Sequence, residues 1–226
     1  MLDSSRLRIM KNKYHTVIWD VDGTLLDTSE GLISAARAVI AAAGLPVPPE
    51  PVLKTYIGPP IQQSFERTLG LSKKDAMELA NKFRARYKEK DLFKAHPYTG
   101  IQTLIKTLSA QGVRQAVATY KRQDYAERIV EHFGFSPYMD VVCGSDFAGI
   151  LTKDDIVANA VQMMGADARE TVMIGDSRSD AQGAYANGMD FLAVTYGFGY
   201  PQGVRPETAV AAAASVEELG DLLAGE

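Results

Sequence analysis

Asp20 and Asp22 are separated by a single residue and followed at once by Gly23, where the apolar run Val17-Ile18-Trp19 stops. If that run is a strand, side chains at i and i+2 leave it on the same side, which would bring the two carboxylates together. Carboxylates held that close raise one another's pKa, and a cation between them removes the conflict. Oxygen donors of this kind suit Mg²⁺, which takes one or two carboxylates and keeps positions for water and a substrate phosphate. A bare D-x-D also occurs as an acidic turn at a strand end, so the pair alone leaves both readings open. The longer string Asp20-Val21-Asp22-Gly23-Thr24-Leu25-Leu26-Asp27-Thr28 is far more specific.

Two further segments have the same form, an apolar run followed by polar groups. Residues 113–118 read as a strand leading into Thr119, Tyr120 and Lys121. A threonine hydroxyl beside the N–H groups of a helix N-terminus can bind an anion, or it can be an ordinary N-cap. Ile174-Gly175-Asp176-Ser177-Arg178-Ser179-Asp180 closes another apolar run. Asp180 falls one helical turn after Asp176 and can face the same edge, although an acid in a first turn is also favoured by the helix dipole.

The elements that must position these groups alternate. Strands are predicted over 15–20, 113–118, 140–142, 171–174 and 191–194, with helices over 101–110, 123–133, 154–164, 179–187 and 215–223. The pattern predicts an α/β protein with a mostly parallel, doubly wound sheet. In such sheets ligands bind beyond the carboxyl ends of the strands, where Asp20, Asp22, Thr119 and Asp176 fall. Residues 28–43 predict a helix capped by Thr28 or Ser29 and closed at Gly44, and 50–56, 60–69 and 72–92 predict three more. With no strand to contribute, this stretch is expected to stand outside the sheet, dividing the chain into a core of 1–27 and 97–226 and a helical cap of 28–96.

Composition narrows the partners. A net charge of −4 over 226 residues provides no general attraction for a nucleic acid polymer or an anionic membrane, so any phosphate site must gather its positive charge locally. The single cysteine, Cys143, cannot form an intramolecular disulfide, and after Val141-Val142 it reads as a small packed apolar residue. Residues 1–13 lack a signal-peptide core and the longest apolar run, 35–45, is too short to span a bilayer, so a cytoplasmic protein is expected. Gly197-Phe198-Gly199-Tyr200-Pro201-Gln202-Gly203 is glycine-rich but is not G-x-G-x-x-G, which argues against a dinucleotide site.

Asp20 to Thr28 resembles the nucleophile motif of the haloacid dehalogenase superfamily, in the version carried by its phosphatases. The dehalogenases proper lack the second aspartate. Thr119 matches the family's second motif, Lys153 its third-motif lysine by its spacing from Asp176, and Gly175-Asp176 with Asp180 its fourth, so the resemblance spans the core from Asp20 to Asp180. It departs at Asp154, where relatives commonly carry proline, and at Tyr120-Lys121, where one branch carries Ser-Lys. The resemblance implies a Rossmann-like core with an inserted helical cap and an aspartyl-phosphate mechanism. Asp20 is the expected nucleophile and Asp22 the acid/base. Thr119 and Lys153 would clamp the phosphate, with Gly23, Thr24, Tyr120 and Lys121 lining the substrate site. Mg²⁺ would be held by Asp20, Asp176 and the backbone carbonyl of Asp22, with Asp180 orienting a water or Lys153.

Residues 56–65 resemble the cap loop of phosphoglycolate phosphatases and of a 5′-nucleotidase-like branch, and 126–134 with 144–146 look closer to the latter. A small phosphorylated metabolite is therefore the expected partner, phosphoglycolate first and a nucleoside monophosphate as the alternative, for a monomer or homodimer. Arg67, Lys54 and Lys121 are candidate cations for a substrate carboxylate or second phosphate. A phosphomutase, a receiver-type signalling domain and an inactive binding protein are the competing classes.

Overall fold

The computed structural model describes residues 13–147 and 150–225. Strand β1, Thr16–Trp19, is buried along its whole length, as a strand covered by helices on both faces must be. Short strands β2 (Leu26–Asp27) and β3 (His96–Pro97) pair in a sheet of their own. Between them lie α1 (Ser29–Ala42), α2 (Glu50–Lys54), α3 (Ile61–Leu69) and α4 (Lys73–Arg86), which runs on as a π-helical turn over Tyr87–Asp91. After β3 come α5 (Ile101–Ala110), β4 (Arg114–Arg122), α6 (Gln123–His132), β5 (Val141–Ser145), α7 (Lys153–Met164) and β6 (Thr171–Gly175). The last elements are α8 (Arg178–Ala186), β7 (Asp190–Val194), β8 (Ala211–Ala213) and α9 (Val216–Ala224).

The main sheet has the order β5-β4-β1-β6-β7-β8, and every pair in it is parallel. The chain builds outward from β1 through β4 to β5, then returns to the other side of β1 with β6. The order reverses between β1 and β6, which creates the crevice where ligands of open α/β sheets bind. Asp20 follows β1 and Asp176 follows β6, so both stand at this reversal. Ile18, Ala116, Ala118, Met173, Ala193, Ile156, Val157 and Ala160 form part of the core on one side of the sheet. On the other face of β4 the buried polar Gln115 is satisfied: its Oε1 accepts from Trp19 Nε1 at 3.1 Å and its Nε2 donates to the Ile105 carbonyl at 3.0 Å.

Two compact units emerge, one made of the described residues up to Leu26 and from Pro97 onward, the other of Asp27–His96. The second has its own core, in which Tyr56 and Phe83 meet Phe65 edge-on and Phe83 stacks on Tyr87. Its buried Asp91 is compensated by Lys94 at 2.7 Å, Arg86 at 3.0 Å and the Ser34 hydroxyl at 3.0 Å. Among the described residues, no helix is long and apolar enough to cross a membrane.

Several boundaries differ from expectation for physical reasons. The first strand stops at Trp19, so Asp20 and Asp22 lie beyond it and the alternation argument does not apply to them. The helix predicted over 72–92 is α-helical only to Arg86, and the Leu92 N–H bonds to the Tyr87 carbonyl at 2.7 Å across a wider turn. Neither Thr28 nor Ser29 caps α1 with its side chain; the Asp27 carboxylate accepts the Ser29 N–H at 2.9 Å. The alanine-only edge strand β8 was not anticipated, because alanine carries no β-signal. Residues 1–12, the bulk of the basic N-terminal segment, lie outside the described residues.

The strand expected to end at Ala118 continues to Arg122 through a bulge. Pairing with β5 is regular to Ala118↔Cys143 and resumes at Arg122↔Ser145, four residues on β4 against two on β5. Gly144 makes room for it, since a Cβ there would stand 2.6 Å from the Lys121 carbonyl oxygen. The Gln123 side chain replaces the lost ladder bonds, accepting from the Gly144 N–H at 2.5 Å and donating to the Val142 carbonyl at 2.9 Å.

Candidate active site

Lys153 is the first residue of α7 rather than the residue before it. Thr152 and Asp155 cap each other's backbone N–H groups and start the helix at that point. A first-turn N–H has no partner within its helix, and the Lys153 N–H finds one in the Tyr120 hydroxyl at 2.9 Å. The side chain is buried, with its ammonium 2.7 Å from Asp20 Oδ1 and 2.6 Å from Asp180 Oδ1, and 5.7 Å from the centre of the Tyr120 ring.

Asp180 has two tasks. Ser177 is the N-cap of α8, and Asp180 Oδ2 accepts the Ser177 N–H at 3.0 Å and its hydroxyl at 2.6 Å in a reciprocal capping box. That use of Oδ2 aims Oδ1 at Lys153. Asp180 is therefore a first-turn helix acid and an inward-facing one at once.

Asp176 is fixed by the glycine-rich loop of residues 197–203, which the sequence marks only as unlike a dinucleotide site. Its Oδ2 accepts the N–H groups of Phe198 at 2.7 Å and Gly199 at 3.2 Å. Gly23, at φ +82°, lies against the same oxygen; a Cβ at that position would come within 2.1 Å of it. The G-x-G spacing after an apolar strand was the available signal, since a Cβ at Gly197 would stand 2.5 Å from Asp176 Oδ2 and one at Gly199 2.4 Å from the Asp176 carbonyl oxygen. Tyr196 was also missed; its hydroxyl donates to the Thr24 carbonyl at 3.1 Å.

The structure brings together Asp20, Asp176 and Asp180, each with a carboxylate oxygen within 4.8 Å of the others. Asp22 is not in that cluster, and its Oδ1 lies 3.0 Å from Lys121 Nζ. Thr119 is buried in β4, and its hydroxyl accepts the Lys121 N–H at 3.2 Å. Thr24 is fully buried and, among the described residues, its hydroxyl has no hydrogen-bond partner; the hydrogen bonds at this residue are made by its backbone. In the helical unit, Arg67 donates to the carbonyl and hydroxyl of Thr55 at 3.2 and 3.0 Å, and Lys54 lies 4.0 Å from Glu50.

Burial pushes the Asp20 carboxyl up to about 7; Lys153 opposes this, while Asp180 and Asp22 add to it. Burial and the charges of Asp20 and Asp180 push Asp176 up to about 8, against the two loop N–H groups. For Lys153, burial acts downward but is outweighed by Asp180 and Asp20, which hold it well above its ordinary value. Of the three clustered carboxylates, Asp20 and Asp180 contact the Lys153 ammonium and Asp176 does not, and an arrangement with one ammonium for three acids suits a cation. An all-oxygen donor set of this charge suits a hard divalent ion.

A linkage prediction follows. Asp20 and Asp176 keep protons in the fold at pH values where the unfolded chain has released them. Their contribution to metal-free stability is present below about pH 4 and lost as pH rises to about 8. A divalent cation must displace those protons, so its stabilising effect increases with pH over the same range. Melting curves with Mg²⁺ and with chelator, at about pH 5.5 and about pH 8, are expected to give the larger Mg²⁺-induced rise in Tm at the higher value. A larger rise at the lower pH would contradict this electrostatic account.

The family model for haloacid dehalogenase-like hydrolases matches residues 17–194. A 5′-nucleotidase of Pseudomonas aeruginosa is 32% identical over 194 residues, covering 85% of this chain and 88% of its own. Tyrosine-protein kinase PtkA of Mycobacterium tuberculosis is 34% identical over 210 residues, 92% of this chain and 72% of its own. A phosphoglycolate phosphatase of Caulobacter vibrioides is 29% identical over 189 residues, 81% and 80% of the two chains. The crystal structure of a predicted phosphatase from Clostridium acetobutylicum superposes with a TM-score of 0.84 at 31% identity, covering 92% of this chain and 96% of that one.

Proposed function

The chain belongs to the haloacid dehalogenase-like hydrolase family, and from that premise we propose that it hydrolyses a small phosphomonoester through a phosphorylated Asp20. The observation that carries the reading is the buried Asp20 carboxylate, held by Lys153 at 2.7 Å beside Asp176 and Asp180 at the sheet reversal. A carboxylate in this setting is oriented and stripped of water, as a nucleophile toward phosphorus must be.

In the first step Asp20 attacks phosphorus in line, a bond from its oxygen to phosphorus forms and the ester P–O bond breaks. Asp22 delivers a proton to the departing oxygen. In the second step Asp22 takes a proton from water as that water attacks phosphorus, and the bond to Asp20 breaks. The Lys153 ammonium balances charge on Asp20 and on the transferring group, and the Thr119 hydroxyl, whose oxygen accepts from Lys121, has its proton available for a phosphate oxygen. Asp20 and Asp176, with the Asp22 carbonyl, would hold Mg²⁺, while Asp180 keeps Lys153 in place. Bound there, the ion would supply positive charge for the transferring phosphoryl group and relieve the carboxylate repulsion.

For the substrate, two readings have support. The P. aeruginosa 5′-nucleotidase matches a larger share of the chain at higher identity than the C. vibrioides phosphoglycolate phosphatase. Lys121, the cation in the core that could have anchored a glycolate carboxylate, is instead paired with Asp22. We therefore place nucleoside monophosphates first and phosphoglycolate second. Phosphate release from a panel of nucleoside monophosphates, phosphoglycolate and sugar phosphates tests this order. A kcat/KM at least about tenfold higher for a nucleotide supports it, and a preference of that size for phosphoglycolate reverses it. An ATP arm with tyrosine acceptors belongs in the same experiment, because one relative carries the name of a tyrosine kinase. Phosphotyrosine formation without hydrolysis of any monoester would replace the phosphatase reading.

A further inference from the structure

The bulge in β4 pushes Tyr120 and Lys121 out of the regular ladder at the carboxyl end of the sheet. Lys121 is held there by its own backbone. Its N–H donates to the Thr119 hydroxyl at 3.2 Å, and its carbonyl oxygen lies over Gly144, where no side chain could fit. From this fixed root its side chain, only 7% exposed, places Nζ 3.0 Å from Asp22 Oδ1. Asp22 itself sits outside β1, in a turn closed by the Gly23 N–H to the Leu26 carbonyl at 2.8 Å, so no strand fixes the direction of its carboxylate. Among the described residues, Asp22 Oδ1 accepts no hydrogen bond, so the Lys121 ammonium holds it as an ion pair.

We propose that Lys121 is a positioning residue for Asp22, fixing one carboxylate oxygen so that the other exchanges protons with the ester oxygen and then with water, rather than a contact for the remote end of the substrate. This rests on the reading of Asp22 as the acid/base. The acid/base must keep one direction through both steps, while the leaving group departs and water replaces it. An ammonium on Oδ1, anchored by a bulge that belongs to the core sheet, provides that constancy and leaves Oδ2 for the proton. Tyr120, from the same bulge, braces Lys153, so the two bulged residues support the acid/base and the nucleophile's lysine respectively.

The consequence depends on the leaving group. An alkoxide needs its proton as the P–O bond breaks, whereas p-nitrophenolate departs without one. The quantity kcat/KM reports formation of the phospho-enzyme and so isolates this first step. Ethyl phosphate and p-nitrophenyl phosphate are the probes, since neither bears a carboxylate or a second phosphate. Lys121→Met is expected to lose ~10–100-fold more kcat/KM on ethyl phosphate than on p-nitrophenyl phosphate. Asp22→Asn should show the same sense of discrimination, and Lys121→Arg should recover most of the loss. Lys121→Gln serves where the methionine variant fails to fold.

Equal losses on both esters would reduce Lys121 to a structural role and overturn the proposal. So would unchanged ethyl phosphate turnover with a raised KM for phosphoglycolate alone, which is the signature of a remote anchor. If the wild-type protein hydrolyses neither these esters nor any monoester of the substrate panel, the phosphatase reading itself fails, which is a different result from either of these.

Discussion

Replacing Asp20 with asparagine is expected to abolish phosphate release, lowering kcat for p-nitrophenyl phosphate by ~10⁴-fold or more, about 5 kcal/mol in the barrier. Asparagine has the same shape but no nucleophilic oxygen anion, so the covalent step is removed while the packing around β1 is kept. Stability should move the other way. Asp20 is one of three clustered buried carboxylates, two of which contact the Lys153 ammonium, and its own carboxyl is pushed up to about 7 by burial. Removing one negative charge leaves Lys153 paired with Asp180 and relieves Asp176. The metal-free variant should therefore melt no lower than the wild type near pH 8 and should gain less from Mg²⁺. Steady-state assays and melts with chelator and with Mg²⁺ check both halves. A variant that loses activity because it has unfolded would fail the second.

Lys153→Met should act in the opposite direction on stability and in the same direction on activity. The methionine fills most of the volume, but the cluster of Asp20, Asp176 and Asp180 loses the ammonium that Asp20 and Asp180 contact at 2.7 and 2.6 Å. Removing one partner of a buried pair costs about 3–5 kcal/mol because the remaining charges stay desolvated. The variant should be strongly destabilised in chelator near pH 8 and partly restored by acidification, which neutralises the carboxylates, or by Mg²⁺, which replaces the missing charge. The Mg²⁺-induced rise in Tm should therefore exceed that of the wild type. kcat should still fall by ~10³-fold, about 4 kcal/mol, since a bound cation does not supply the charge at the Lys153 position. A Tm that is insensitive to pH and Mg²⁺ would show that the lysine contributes through packing alone.

The parts of this site that are legible in the sequence are those carried by strand ends. Apolar runs stopping at Trp19 and at Gly175 place an aspartate after each, and the parallel sheet puts both at one edge. What the sequence does not reveal depends on where the chain leaves regular structure. Asp20 and Asp22 look like a matched pair because strand alternation was extended past Trp19; beyond it the backbone turns, and the two carboxylates meet different lysines. Thr119 looked like the end of its strand because no local signal marks a bulge; the enabling residue, Gly144, belongs to the neighbouring strand. Phe198 and Gly199 act through backbone N–H groups, which every residue possesses, so only the glycine spacing could have pointed to them. The dual use of Asp180, Oδ2 for the helix cap and Oδ1 for Lys153, is visible only in three dimensions, although the Ser-x-x-Asp spacing already contains the cap.

Asp20, Asp22, Thr119, Lys153, Asp176 and Asp180 all belong to the core unit, and the Asp27–His96 unit has its own aromatic core and its buried Asp91. The assignment of nucleophile and acid/base is the claim on which the other predictions depend. Borohydride quenching during turnover tests it most directly, because borohydride reduces an aspartyl-phosphate to homoserine that peptide mass spectrometry can locate. The account predicts homoserine at position 20, only when a phosphomonoester is present, and none in the Asp20→Asn variant. Homoserine at position 22 or 176, or turnover that persists in Asp20→Asn, would contradict it.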